Sequence, residues 1–190
     1  MEATIGGAAD YNAAAVREGW HSLCDPTIQF AHPELTKLLE LWLTHAGTTG
    51  IPPRREMSAR MLKAMLRDVA IYERVASQGE RRRYRVRLIG SGFAQIVGDL
   101  TGKFIDDAVA PEMVSRWYGA LDATLGAAAP LRFVGREETN GMIFLTGEFF
   151  SAPLMADDGQ VNLVLGSARY SGKRPWPEVE AETRRMLGLD

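Results

Sequence analysis

The sequence predicts an α+β domain in which helices cover an antiparallel sheet. Strand-like segments come in two groups, two segments near residue 70 and three after residue 130, and the longest helical segment of the second half lies between the groups. Strands that follow one another without alternating helices are typical of antiparallel sheets. We therefore expect five antiparallel strands with short helices and one longer helix over one face, plus N-terminal helices.

The composition is that of an ordinary globular protein. Of 190 residues, 46% are hydrophobic and 24% are charged, with a formal charge of −2, so no bulk positive field attracts nucleic acid. The single cysteine, Cys24, excludes an intrachain disulfide. The N-terminus lacks a signal-peptide pattern, and no apolar run reaches the roughly 18 residues of a membrane span. We expect a cytoplasmic protein without membrane or nucleic-acid contact.

Three regions are expected along the chain. Residues 1–32 form a weakly patterned N-terminal extension with one short helix near residues 11–20. Residues 33–171 form the domain with its N-terminal helices, and residues 172–190 form a tail with a short helix. The sequence contains no repeat, low-complexity tract or internal linker.

The first strong helix signal lies in "HPELTKLLELWLTHAG", with Pro33 at the first helical position and Gly47 after the end. One face carries Leu35, Leu38, Leu39, Trp42 and Ala46. Leu41 and Leu43 lie off this stripe. A helix this apolar contacts two surfaces, namely the core and either a neighbouring helix or a second subunit.

The middle of the chain changes from helical to strand periodicity. Residues 58–68 predict a short helix with four inward apolar side chains, Met61, Leu62, Met65 and Leu66. Residues 69–75 and 83–90 then predict two antiparallel strands joined by a polar connection. The glycine-punctuated segments "SGFAQIVG" and "LTGKFIDDA" predict one or two helical turns each.

The second half predicts one long helix and three strands. The helix begins at Pro111, and its apolar residues recur every four positions at Met113, Trp117, Leu121 and Leu125. Strands are predicted over residues 130–138, 142–155 and 161–171. Turn signals separate these strands at Asn140 and Gly141 and at Asp157, Asp158 and Gly159.

The glycines after residue 89 do not fit a phosphate-binding loop. A dinucleotide fingerprint needs a third glycine where Gln95 stands, followed by a long helix and a parallel strand. A Walker loop needs Ser or Thr after Gly102 and Lys103, but Phe104 follows.

The arginine run has a simple structural interpretation. Arg83, Arg85 and Arg87 alternate with apolar residues, which is typical of a half-buried strand with a charged outer face. The alternative is a nucleic-acid-binding face, which salt-sensitive binding would reveal.

No catalytic constellation emerges from the remaining residues. His21, His32 and His45 do not have the spacing of a helical metal-ligand pair, and no serine lies in a Gly-x-Ser-x-Gly elbow. Glu148, within the apolar "FLTGEFF", is expected to pair with an arginine across the sheet rather than to catalyse a reaction. We expect neither an enzyme nor a metal site.

The succession "YRVRLIGSGFAQIVGDLTGKFIDD", a helix and "FFSAPLMADDGQVNLVLGS" resembles the PAS fold. It is most similar to a divergent alphaproteobacterial family of short, often single-domain PAS-like proteins. The matching pieces are residues 87–90, residues 98–102 with Asp106, and Pro153 and Leu154 followed by Asp158 and Gly159. Upstream, "PPRREM" is similar to the family's entry segment, although Ser58 stands near an expected proline.

The resemblance covers roughly residues 35–170 and implies a role for the glycines. After its second strand, a PAS chain leaves the sheet sharply, crosses the concave face in short helical turns and reverses again. The positions that need backbone freedom or close approach are then Gly90, Gly92, Gly98 and Gly102.

The resemblance also bears on cofactors. A haem sensor would carry a histidine on the long helix, and a photoactive flavin domain would carry a cysteine in the short-helix segment; this sequence has neither. We expect no cofactor. Two interpretations of the space between the sheet and the helices are possible: an apolar cavity that binds a small ligand, or a core filled by side chains. The residues expected to line the cavity or to fill the core are the same: Phe93, Ile96, Val97, Trp117, Leu121, Phe133, Leu145 and Phe149.

The leading hypothesis is a non-catalytic PAS-like sensory or regulatory module that acts on a protein partner or binds a small apolar ligand. We expect a homodimer through the apolar helix, with interface residues Leu35, Leu39, Leu41, Trp42 and Leu43. One alternative is a small α+β enzyme or carrier that uses a pocket carboxylate with a raised pKa. A second is a nucleic-acid binder that uses the arginine-rich strand.

Overall fold

The computed structural model describes residues 5–75, 82–136, 146–170 and 174–189. Two single 3₁₀ turns, Gly47–Thr49 and Leu66–Asp68, accompany the helices and strands. In chain order the helices and strands are α1 (Ala8–Glu18), β1 (Ser22–Asp25), α2 (Pro33–His45), β2 (Val69–Val75), β3 (Arg83–Ile89), α3 (Ser91–Val97), α4 (Ile105–Ala108), α5 (Pro111–Ala127), β4 (Leu131–Arg136), β5 (Thr146–Met155), β6 (Val161–Tyr170) and α6 (Trp176–Leu187).

The described strands form one sheet in the order β1-β4-β5-β6-β2-β3, and all neighbouring strands are antiparallel. The predicted α+β class is therefore confirmed. The predicted turn at Asn140 and Gly141 and the first residues of the strand predicted over 142–155 lie outside the described residues.

The sheet has six strands rather than the predicted five. The additional strand, β1, belongs to the predicted N-terminal extension and pairs with β4, so that Cys24 lies opposite Phe133. All four residues of β1 are buried. A strand of four residues that is covered on both faces shows no alternation between apolar and polar positions, and the sequence therefore gave no period-two signal.

Helices cover both faces of the sheet. As predicted, α3, α4 and α5 share one face, where they pack with Tyr72, Val86 and Val164. Helix α1 joins them there through Tyr11, which packs with Phe133. On the opposite face, α2 packs against β5 and β6, and α6 packs against β1 and β4.

The segment before β2 is not the short helix that the sequence predicts. Residues 59–65 form turns that lead into the 3₁₀ turn Leu66–Asp68. Leu62 is fully buried, whereas Met61 is 44% exposed and is therefore not an inward residue. A helix this short is marginal unless a whole face packs, and here Leu62 is the only one of the four predicted inward residues that is fully buried.

The four glycines have the roles that the PAS resemblance implies. A Cβ at Gly90 would lie 2.2 Å from the Leu66 carbonyl oxygen, and one at Gly92 would lie 2.5 Å from a carboxylate oxygen of Asp68. Gly98 and Gly102 have φ angles of +89° and +81°, which residues with a side chain rarely adopt. The backbone bends at these points around the sheet, and the prediction is confirmed.

A buried ion cluster joins β1, β4 and β5. Arg132 donates hydrogen bonds from Nε to Glu148 at 2.5 Å and from a terminal nitrogen to Asp25 at 2.9 Å. Glu148 also accepts hydrogen bonds from the backbone N–H groups of Ala31 and His32, which immediately precede α2, at 3.0 Å each. The predicted cross-sheet arginine pair of Glu148 is thus confirmed, and it also fixes the start of α2.

We expect Arg132→Met to lower the free energy of unfolding by about 3–5 kcal/mol, because it leaves the buried carboxylates of Asp25 and Glu148 without their shared cation. Urea unfolding measures this loss. The control is Arg87→Met, which removes an exposed pair with Glu73 and should cost less than about 1 kcal/mol. Equal losses in the two variants would contradict a structural role for the cluster.

Candidate ligand-binding cavity

A cavity of about 110 Å³ lies between the sheet and α5. Its apolar wall is built from Phe93 of α3, Trp117 of α5, and Phe133 and Phe149 of β4 and β5. The Trp117 ring meets the ring of Tyr72 edge to face, with centroids 6.0 Å apart. Aromatic rings of β2, β4, β5, α3 and α5 therefore line one space.

The structure brings together six of the eight candidate ligand residues, which line this cavity: Phe93, Val97, Trp117, Leu121, Phe133 and Phe149. Ile96 instead lines a second, more open depression of about 400 Å³, together with Arg67 and Asp68. Leu145 lies outside the described residues. Whether these residues bind a ligand stays a prediction.

Sequence reasoning missed the contribution of the N-terminal residues. Tyr11 of α1 and Ser22 of β1 also line the cavity, and the Tyr11 hydroxyl donates to Ser22 Oγ at 2.9 Å. Ser22 in turn donates to the Val134 carbonyl at 3.1 Å. Burial raises the pKa of Tyr11 to about 12, so the phenol stays neutral near pH 7. The available sequence signal was the three- and four-residue spacing of Tyr11, Ala14 and Ala15, which the structure buries, but two of these residues are alanines and the signal is weak.

Two arginines form the polar end of the cavity. Arg116 of α5 is only 9% exposed, and its guanidinium donates to the Arg136 carbonyl at 3.0 Å. A terminal nitrogen of Arg136 lies 2.8 Å from Nδ1 of His21. Arg116 falls within the long helix, where the sequence shows only its apolar period, and its burial was therefore not predicted.

The cavity wall does not support the pocket-carboxylate hypothesis. Among the described lining residues there is no Asp or Glu. Burial raises the pKa of the Asp122 carboxyl, which accepts a hydrogen bond from the Tyr84 hydroxyl at 2.7 Å and pairs with Arg82 at 2.6 Å. This network links α5 to β3 and is not part of the cavity wall.

Most of the predicted interface residues of α2 are buried in the chain's own core. Leu35, Leu39 and Trp42 are buried against the sheet, and Trp42 Nε1 donates to the Pro153 carbonyl at 2.9 Å. Leu41 is half-buried. Leu43 is 54% exposed, and it is therefore the member of the predicted set that a partner can reach most readily.

Acidic side chains accompany the arginines of β3. Arg83 binds Asp106 at 2.9 Å and Asp107 at 2.6 Å, and Arg87 lies 3.3 Å from Glu73. Tyr84 and Val86 are fully buried between them. The strand therefore has the half-buried pattern with a charged outer face that its alternation predicts.

Comparison with known families now identifies the fold. A family model described as PAS domain matches residues 30–169. The chain belongs to the PAS domain family. The match spans α2 through β6, whereas α1 and β1, which bring Tyr11 and Ser22 to the cavity, lie before it.

Solved structures that are similar to this chain include the following three. An RNA-binding light-oxygen-voltage receptor is 12% identical, with a TM-score of 0.47 over 90% of this PAS domain chain and 44% of that one. The light-state LOV domain of the blue-light photoreceptor Aureochrome1 is 12% identical, with a TM-score of 0.39 over 66% and 97%. A sensory box histidine kinase/response regulator from Burkholderia thailandensis E264 is 16% identical, with a TM-score of 0.39 over 68% and 97%.

The chain spans less than half of the first of these structures. No protein with a curated description matches the sequence. Within the described parts of this PAS domain, no helix is both long and apolar enough to cross a membrane.

We expect the stability of Asp122→Asn relative to wild type to increase as the pH rises from about 4 to about 7. Burial raises the pKa of Asp122 in the folded state, so its favourable contribution is complete below the unfolded pKa and is lost as the pH rises through the folded pKa. Asparagine does not ionise and avoids this loss.

Urea unfolding of both proteins across this pH range measures the difference. Asp157→Asn, at an exposed turn, monitors the effect of losing one surface charge. A stability difference that stays constant or falls with pH would contradict the raised pKa.

Proposed function

We propose that this PAS domain is a non-catalytic sensory module whose cavity binds a small, mostly apolar molecule. PAS domains are typically sensory. The observation that carries the proposal is the cavity of about 110 Å³, which has aromatic walls and one polar end. Ligand sites in proteins generally combine these features, since apolar walls supply affinity and a few polar groups fix orientation.

The size of the cavity favours a ligand site over a filled core. Protein interiors pack to crystal-like density and hold few voids larger than a water molecule. A cavity of about 110 Å³ is several times larger than the roughly 10–15 Å³ that one water molecule needs. Leaving such a space costs packing contacts, and a bound molecule restores them.

The hydroxyls in the wall support a binding role rather than catalysis. The Tyr11 and Ser22 hydroxyls form a chain that ends on the Val134 carbonyl. The Ser151 hydroxyl lies 2.8 Å from that of Thr124, which in turn donates to the Ala120 carbonyl. These contacts hold strands and helices together, and none pairs a hydroxyl with a histidine or carboxylate base.

A structural change caused by ligand binding can be transmitted to the protein surface through α5 and α1. Helix α5 contributes Arg116 and Trp117 to the cavity, and its Ala123 packs with Tyr11 and Ala15 of α1. A molecule in the cavity therefore contacts two helices that also contact each other. A change in their packing is the signal that a partner protein would read.

We expect freshly purified protein to carry a small molecule, which native mass spectrometry detects as a mass lost on denaturation. Ala120→Leu should abolish this mass because the larger side chain fills the cavity from α5. Ser115→Leu, on the exposed side of the same helix, should retain it.

Circular dichroism checks that both variants fold. If wild type neither carries a small molecule nor gains thermal stability from any member of a small-molecule library, the sensory ligand role is wrong.

We also propose that the protein forms a homodimer through α2, where Leu43 of the predicted interface is 54% exposed next to the half-buried Leu41. We expect Leu43→Asp to give monomers in light scattering at tens of micromolar, because an ionised side chain is costly to bury at an interface. Val16→Asp on α1, at a site 66% exposed, should leave the dimer intact. A monomeric wild type at that concentration would remove the dimer proposal.

A further inference from the structure

Arg116 is a buried cation without a carboxylate partner among the described residues. Its side chain is on α5, lines the cavity and is only 9% exposed. Within the described chain its guanidinium meets one protein acceptor, the Arg136 carbonyl at 3.0 Å. A guanidinium has five N–H donors and stays charged at all physiological pH values. Most of its hydrogen-bonding capacity is therefore left for something else.

Two other arginines of this chain, one buried and one half-buried, have carboxylate partners. Arg132 has two carboxylates, Asp25 and Glu148, and Arg83 likewise has two, Asp106 and Asp107. Burying a charge without a counter-charge is costly, because the group loses its hydration. Arg116 is buried without such a partner among the described residues, and because it lines the cavity, its counter-ion is to be sought there.

The contact with Arg136 also positions the Arg116 guanidinium. The acceptor is a backbone carbonyl at the last residue of β4, and its position is fixed by the sheet. The Arg136 side chain is held in turn near His21 at 2.8 Å. A guanidinium that is fixed before a ligand arrives loses less conformational entropy on binding.

We propose that the ligand of this cavity is a small monocarboxylic acid. Its carboxylate binds the guanidinium of Arg116, and its apolar body lies against Phe93, Trp117 and Phe149. This inference rests on the proposed function, because it assigns a chemical class to the molecule in the same cavity.

The chemistry of the wall favours a carboxylate over a phosphate. A planar carboxylate matches the two parallel N–H donors of one guanidinium. A phosphate group carries up to two charges and three acceptor oxygens at neutral pH, and it needs more donors than a mostly aromatic wall provides. The small volume of about 110 Å³ likewise favours a compact aromatic or short aliphatic acid.

The test uses matched probes that differ only in charge. Ligand-observed NMR measures binding of benzoate, phenylacetate and hexanoate, of the three corresponding amides, and of phenyl phosphate to the full chain. We expect at least one carboxylate to bind about ten- to a hundredfold more tightly than its amide, since a hydrogen-bonded charge pair contributes that much. Phenyl phosphate should bind more weakly than the best carboxylate.

Arg116→Met should remove the preference for acid over amide while keeping the folded circular dichroism spectrum. Methionine has a similar length without the charge, and unlike Arg132→Met this change leaves no described carboxylate without its cation. Arg87→Met, which changes an exposed arginine of β3, should keep the preference. Arg116→Lys should bind the acid with intermediate affinity, because it keeps the charge but loses the two-donor geometry.

The outcomes separate this inference from the proposed function. If amides bind as tightly as acids, or if Arg116→Met keeps the preference, the cavity binds small molecules but the carboxylate assignment is wrong. Tighter binding of phenyl phosphate overturns the assignment in the same way. If no probe binds wild type, the assignment is also wrong, whereas the ligand role is decided separately by the mass that is lost on denaturation.

Discussion

The buried contact between Arg132 and its two carboxylates connects three strands of the sheet and the start of α2. It joins Asp25 of β1 and Glu148 of β5 through one guanidinium on the strand between them. Glu148 also accepts the two backbone N–H groups that precede α2. One cluster therefore holds the edge strand in the sheet and sets where the covering helix of the opposite face begins.

The cavity follows from the position of that edge strand. Because β1 lies beside β4, the chain before it returns across the inner face as α1 and brings Tyr11 over Phe133, with ring centroids 4.9 Å apart. The space between α5 and the sheet is thereby closed by residues that precede the segment matched by the PAS family model. The two faces of the sheet differ in how arginines are paired. On the face that α2 and α6 cover, Arg132 has the carboxylate of Glu148, whereas on the face that α5 covers, Arg116 has no carboxylate among the described residues.

Much of this arrangement could be predicted from the sequence. Proline at the first helical position marked the starts of α2 and α5, and the change of hydrophobic period marked β2 and β3. The resemblance to the PAS fold implied the sharp exit from β3 at the glycines. The missed features were non-local. The four residues of β1 show no alternation, and the burial of Arg116 depends on the cavity that α5, β4 and α1 enclose together.

Our main proposal is that the cavity next to Arg116 holds an anionic small molecule. A crystal structure of the protein purified directly from cells provides the test. We expect electron density for a compact molecule between Phe93 and Trp117, with a negatively charged group within hydrogen-bonding distance of the Arg116 guanidinium. A cavity closed by its own side chains, with Arg116 paired to a carboxylate of this chain, would contradict it.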